Sequence, residues 1–306
     1  MNIGWYPFSR LSPSCIFAIA SLALCTSSQA ESLYVSSWKN DTIVQIRSDG
    51  TTYTFTSSLL KGPSGLAFDD SGNLYVANQW NNTVVRIDPY WNASVYASAG
   101  LSQPMGITFD SLGSLYVANA ANHTITKHNP DGTSATFAAA GINNPLGIVF
   151  DSASNLYVAN YWVGTIQKLD PLAQGSLFAS GLNGPFGIEF DNVGNSILVA
   201  TAVDDTIWRY GLDGSVSVFA NTDIDNPEGI TMDSNGNLFV ANFWASTITK
   251  FDPAGQASIF ANSGFVNPHF LEVGPDRIIP EPGFRMSCAL LSVLALAHGL
   301  RRRSEN

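Results

Sequence analysis

The sequence predicts an all-β protein, a six-bladed β-propeller of four-stranded antiparallel blades closed by pairing of the N- and C-terminal strands. Three observations carry that prediction. A block of the form Leu-Tyr-Val-Ala-Asn recurs at intervals of 41 residues. Each repeat holds four short segments rich in β-branched and aromatic residues. The chain also begins and ends on complementary fragments of one repeat.

In chain order, the recurring block appears as Leu33-Tyr-Val-Ser-Ser37, Leu74-Tyr-Val-Ala-Asn78, Leu115-Tyr-Val-Ala-Asn119, Leu156-Tyr-Val-Ala-Asn160, Ile197-Leu-Val-Ala-Thr201 and Leu238-Phe-Val-Ala-Asn242. A second block precedes the later five: Pro63-Ser-Gly-Leu-Ala-Phe-Asp69, Pro104-Met-Gly-Ile-Thr-Phe-Asp110, Pro145-Leu-Gly-Ile-Val-Phe-Asp151, Pro185-Phe-Gly-Ile-Glu-Phe-Asp191 and Pro227-Glu-Gly-Ile-Thr-Met-Asp233. A degenerate copy, Pro268-His-Phe-Leu-Glu-Val273, closes the series. Two further segments follow in each repeat, for example Thr83-Val-Val-Arg-Ile87 and Ser94-Val-Tyr-Ala97, and turn pairs such as Asp131-Gly132 separate them. Strands joined by such turns make one antiparallel sheet. A sheet apolar on both faces cannot stand alone and must be covered by its neighbours.

The chain starts with the Leu-Tyr-Val block and ends with the Pro-x-Gly block. If Pro268 to Val273 enters the sheet begun by Leu33 to Ser37, the ring closes without raw end faces. A linear array would need polar caps, and none is visible. Closure is the propeller solution.

The ends read as targeting segments, which divides the chain into a signal peptide (1–30), the propeller (31–277) and a sorting region (278–306). Arg10 leads into an apolar run from Cys15 to Cys25 and then to small and polar residues ending at Ala30, the pattern of an exported precursor. Toward the other end, Pro280-Glu281-Pro282 is followed by an apolar run over 284–300 and by Arg301-Arg302-Arg303. As a helix those 17 residues would measure about 26 Å, a marginal transmembrane span, with the arginines on the cytoplasmic side. Cys15, Cys25 and Cys288 all fall in these segments, so the expected mature domain has no disulfide and no thiol nucleophile. Residues 31–280 carry 22 Asp and Glu against 9 Lys and Arg. That acidic balance excludes nucleic acid as a partner.

Pro-x-Gly-Ile-x-x-Asp, Gly-Asn-Leu-Tyr-Val-Ala and a Thr-Ile-x-x-Lys strand before Asp-Pro resemble the NHL repeat and, more widely, the six-bladed SMP-30 and gluconolactonase group. The C-terminal arrangement resembles a PEP-CTERM sorting signal. That resemblance implies a transient inner-membrane anchor, an exosortase-type processing enzyme, and a final location at the cell surface or outside the cell. Set against the SMP-30 pattern, Glu228 takes the place of a metal-binding Asp, while the metal-binding Asn falls on Phe186, which cannot coordinate. The resemblance therefore does not imply a metal-dependent lactonase. Streptogramin-lyase-like propellers, which have a related repeat, use a histidine and a divalent ion.

The residue after each repeat proline is the candidate for a ring at one mouth of the central channel: Ser64, Met105, Leu146, Phe186, Glu228 and His269. Three apolar residues followed by a carboxylate and an imidazole make an asymmetric rim for a ligand. No cofactor is expected. The function expected from the residues is an exported, non-catalytic binding or scaffold propeller for an extracellular polysaccharide or a protein partner. The alternative is a hydrolase or lyase with Glu228 and His269 as an acid/base pair or as ligands of a divalent cation. The basic residues Arg86, Lys127, Lys168, Arg209 and Lys250 are expected to pair with carboxylates across strands. Asn78, Asn119, Asn160 and Asn242 are expected to cap turns. Trp38, Trp80, Tyr161-Trp162 and Phe243-Trp244 are expected to pack between blades, with carbohydrate stacking as the alternative.

Overall fold

The structure is a computed structural model that describes residues 31–277. The expected signal peptide over 1–30 and sorting region over 278–306, with its apolar run 284–300, lie outside the described residues. Among the described residues no helix is long and apolar enough to cross a membrane. The expected transmembrane element is thus not found among the described residues, which form strands with a single 3-10 turn at Trp38–Asn40.

Among the described residues the strands form six four-stranded antiparallel sheets. We number the blades in the order in which their Leu-Tyr-Val strands occur. The innermost strands are Pro268–Pro275 in blade 1, then Pro63–Phe68, Pro104–Phe109, Pro145–Phe150, Pro185–Asp191 and Pro227–Met232 in blades 2 to 6. Blade 1 is the composite one. Its strand Glu31–Ser37 pairs with Pro268–Pro275 in the register Leu33 with Val273 and Val35 with Leu271. Ser36 sews the join, its hydroxyl accepting from the Phe270 amide at 2.8 Å and donating to the Phe270 carbonyl at 3.2 Å. The Tyr34 hydroxyl donates to the Pro275 carbonyl at 2.7 Å.

Each gap between blades holds its own apolar cluster. Tyr34, Ile43, Leu66 and Leu74 join blades 1 and 2, and Leu33, Val35, Phe239 and Ile248 join blades 6 and 1. Four further clusters fill the remaining gaps, so the apolar faces that make one sheet unstable are covered all round the ring. Burying one Leu of such a cluster contributes about 2 kcal/mol.

The block glycines let the inner strands crowd the axis. A Cβ on Gly106 would run into the Leu146 carbonyl oxygen, and one on Gly187 into that of Glu228. The sixth copy breaks this rule by placing Phe270 where the others have glycine. The acidic residue that ends each block holds the next turn: Asp110 accepts from the amides of Leu112 and Ser114 at 3.0 and 2.8 Å. The same carboxylates receive the third-strand cations, Lys127 on Asp110 at 3.0 Å and Arg209 on Asp191 at 2.7 Å. Asn78 and Asn160 cap more than a local turn. Fully buried, they reach back 17 residues, their oxygens accepting from the amides of Lys61 and Asn143 at 3.1 and 2.9 Å.

Candidate functional site

Every inner strand begins with a register shift against its neighbour, between Pro63 and Leu66, Pro104 and Ile107, Pro145 and Ile148, Pro185 and Ile188, and Pro227 and Ile230. In blade 1 the shift lies opposite Pro268–Leu271. A bulge leaves its residues outside the ladder and re-aims their side chains. The six ring candidates all sit on these bulges, at the end of the channel we call upper.

The structure brings them into one packed layer. Met105, Leu146 and Phe186 form an apolar cluster with Ala120 and Ala202, against which Phe270 and Tyr161 pack. Closure of the ring places Ser64 beside His269, although 205 residues separate them, and its hydroxyl oxygen lies 3.2 Å from Nδ1 of that imidazole. On the other side His269 Nε2 lies 3.3 Å from Glu228 Oε2. That contact is close but not aligned as a hydrogen bond, which leaves Glu228 Oε2 without a bonded partner. Four rings enclose the imidazole, with centroids at 5.2 Å for Phe186, 5.2 Å for Phe270, 6.0 Å for Trp38 and 6.0 Å for Phe243.

Ser64, His269 and Glu228 are 0%, 5% and 8% exposed. Burial disfavours charge. It pushes the Glu228 carboxyl well above the usual carboxylate range and lowers His269 to about 3. Burial thus sets a carboxyl that holds its proton more tightly than usual beside an imidazole that is uncharged at neutral pH.

A metal of the lactonase type does not fit here. Phe186 occupies one ligand position, and among the described residues no group of three or more His, Cys, Asp or Glu side chains is gathered to hold an ion. The remaining histidines have local bonds. His123 Nδ1 accepts from the Asn144 amide at 2.7 Å, and His128 Nε2 lies 3.2 Å from the Thr126 hydroxyl.

Sequence reasoning missed three members of this layer. Phe270 was signalled only by the loss of glycine in the sixth copy. Trp38 and Phe243 were expected between blades, and they do meet across blades 1 and 6 at 6.1 Å, but each also lies 6.0 Å from the His269 ring. Trp80, Trp162 and Trp244 depart further from that expectation, since they are 54%, 66% and 67% exposed. Trp38 holds this rim together by meeting Trp80 edge-on at 5.0 Å and donating from its indole nitrogen to Gln79 at 2.7 Å.

Comparison with known proteins places the fold in context. The family model described as SMP-30/Gluconolactonase/LRE-like region matches residues 158–260. No curated protein matches the chain. The chain is similar in structure to a nidogen/laminin complex chain, at 18% identity and TM-score 0.73 over 81% of this chain and 100% of that one. It is similar to streptogramin B lyase at 17% identity and TM-score 0.64, over 78% of this chain and 82% of that one. It is also similar to a catalytically inactive His-to-Ala variant of virginiamycin B lyase from Staphylococcus aureus with quinupristin, at 18% identity and TM-score 0.61, over 77% and 85% of the two chains. At these identities the likeness shows a shared six-bladed fold, related to the NHL and SMP-30 propellers.

The expected non-catalytic role is corrected at this point. It took Glu228 and His269 to be two members of an asymmetric rim for a ligand at the channel mouth. They are instead buried and not aligned with each other as a hydrogen bond, on a fold shared with a nidogen/laminin complex chain and with streptogramin lyases alike.

Proposed function

We propose that the chain is a lyase that performs an elimination at the upper mouth, with His269 as the general base and Glu228 as the general acid. The observation that carries this reading is the 3.3 Å contact of a buried imidazole with a buried carboxyl. Ser64 is fully buried, so its hydroxyl acts as a positioning group that holds Nδ1 and leaves Nε2 as the reacting nitrogen. The inactivity of a His-to-Ala variant of virginiamycin B lyase supports a histidine-based reading of a propeller of this kind.

In the elimination, Nε2 accepts a proton from a carbon next to a carbonyl, and that C–H electron pair becomes a C=C bond. The bond from the neighbouring carbon to the leaving oxygen breaks, and the oxygen takes the proton of Glu228. The imidazolium then returns its proton to the Glu228 carboxylate, which restores both groups. The substrate class is a carbonyl compound with a leaving oxygen two carbons away, and a uronate-containing polysaccharide fragment meets that description. The exposed rings of Trp80, Trp162 and Trp244 suit the stacking of sugar faces.

We also propose that the chain is exported and processed by an exosortase-type enzyme. The run before Ala30, Pro280-Glu281-Pro282 and the three terminal arginines support this. Mass spectrometry of the protein recovered from its native host should find both ends trimmed, and an intact chain would contradict it.

For the catalytic reading, the full chain is incubated with uronate polysaccharides and with a streptogramin B depsipeptide while the ultraviolet absorbance of a conjugated C=C bond is followed. Absorbance should rise with the native chain and fall about 10²- to 10⁴-fold for His269→Ala and for Glu228→Gln, the usual range for acid–base groups. Product formed equally by the variants, or no unsaturated product from either substrate, would refute the assignment.

A further inference from the structure

The rim of the upper mouth carries a row of rings for which the acid–base pair alone does not account. In the turns after the second strands of blades 6, 1 and 2, Trp244 meets Phe243 at 4.9 Å, Phe243 meets Trp38 at 6.1 Å and Trp38 meets Trp80 at 5.0 Å. The row passes His269, which lies 6.0 Å from each of the two middle rings. Both ends are open to solvent, Trp80 at 54% and Trp244 at 67% exposure. A contiguous exposed apolar patch of this kind marks an interaction surface.

Trp80 is held in place as a platform. Its ring rests on the backbone of Gly62, where a Cβ would come within 2.9 Å of it, and the Gly62 amide donates to Asp41 at 2.7 Å. The Trp80 amide donates to the Lys61 carbonyl at 3.3 Å, and the Gln79 amide donates to the Gly62 carbonyl at 3.0 Å. A large ring already fixed by its neighbours loses little freedom on binding. Beneath the row, Phe270 packs on the upper cluster and also lines a lower compartment of the channel, of about 320 Å³, together with Glu189 and Glu272. A long ligand therefore lies across the mouth instead of entering the channel.

Charge is uneven along the row. Among the described residues, Lys39 and Lys61 are the only lysines or arginines in the upper loops, and both are exposed beside the Trp38 and Trp80 rings. Lys61 pairs with Asp41 at 3.3 Å, while Lys39 has no acid paired with it among the described residues. The Trp244 end borders the exposed side chains of Asp204, Asp205, Asp223 and Asp225 in the upper loops of blades 5 and 6. The row thus runs from a basic end to an acidic one.

We propose that this row binds an extended polysaccharide of mixed neutral and uronate sugars, with a uronate near Lys39 and Lys61 at the Trp80 end and a neutral sugar on Trp244. The apolar face of a sugar stacks on an indole while its hydroxyls stay hydrated, and successive rings of the row stand about one sugar unit apart. The acidic end argues against an anionic lipid surface, which would meet both ends alike. The inference rests on the lyase reading for the fate of the chain: a polymer held on both sides of His269 is cut internally.

The test is calorimetric titration of the full chain carrying Glu228→Gln, which keeps the shape of the site while slowing turnover. The probes are hyaluronan, in which glucuronate alternates with a neutral sugar, dextran, and phosphatidylglycerol vesicles. Hyaluronan should bind, and more weakly as salt is raised. Trp80→Ala and Trp244→Ala, each added to that background, should weaken it about ten-fold, as loss of an anchoring ring does. Lys39→Gln should weaken it and flatten the salt dependence, while Leu172→Ala, exposed in a lower turn, should bind as its parent does. No binding of hyaluronan, undiminished binding in both tryptophan variants, dextran bound as tightly as hyaluronan, or vesicles bound in its place would each overturn the proposal. With the native chain, the viscosity of hyaluronan should fall before short products accumulate, and release of end units alone would contradict the two-sided placement. Unsaturated product without ring-dependent binding would sink this surface and leave the lyase standing; ring-dependent binding without product would do the reverse.

Discussion

The two halves of the channel are built by the same six strands and differ in what those strands deliver. The upper ring lies on bulges, is lined by four aromatic rings around His269 and carries a carboxyl and an imidazole whose charged forms burial disfavours. The lower ring follows regular pairing, opens on a cavity and carries two carboxyls with no counter-charge. A repeat fixes backbone positions, and the side chains at those positions are then free to serve different chemistry at each end. Phe270 is the residue that keeps the two environments apart.

That comparison can be broken most strongly at Phe270. Phe270→Ala should lower stability by about 2–4 kcal/mol, less than a fully buried Phe would because the ring is only partly buried. It should also join the compartments and admit water to His269, so the product-forming rate should fall further than unfolding explains. Denaturant titration together with the elimination assay checks both parts, and a merely destabilised but fully active variant would argue against a dividing role.

A smaller effect is expected at Gly187. An alanine there meets the Glu228 backbone oxygen, so the neighbouring inner strand has to move. The cost should be about 1–3 kcal/mol, and the displaced carboxyl should lower the rate constant of turnover more than it weakens substrate binding. The smallest effect on stability belongs to the exposed rim. Trp244→Ala should change it by about 0.5 kcal/mol or less, while raising KM for a saccharide substrate, and an unchanged KM would remove Trp244 from the substrate surface.

The fold was legible because a propeller states itself repeatedly: six copies, β-rich segments, turn pairs and complementary ends each point to the same ring. The proline-following ring was legible for the same reason. The partnership of Ser64 with His269 needed one more step, since it links the second blade to the last strand and exists only once the ring has closed. Burial was the harder part. Nothing in the residues near Glu228 states that the site is dry, because Trp38, Phe243 and Phe270 come from three separate segments. The exposure of Trp162 and Trp244 was misjudged because an aromatic pair after a strand has the same composition whether it turns inward or out. Glu189 and Glu272 were visible in the repeat blocks but became a pair only when their strands flanked the same neighbour.

The account rests on His269 being held uncharged beside Glu228. An imidazole that binds its proton only below about 3 when folded, against 6.5 when unfolded, leaves the unfolded chain with more protons between those values. The stability it contributes is then present above 6.5 and is lost as the pH falls toward 3. Nitrogen NMR of histidine-labelled protein, with the His269 signals assigned by comparison with His269→Ala, tests this directly. The ring should stay neutral throughout the range from pH 5 to 8; a titration centred near 6.5 would contradict the account.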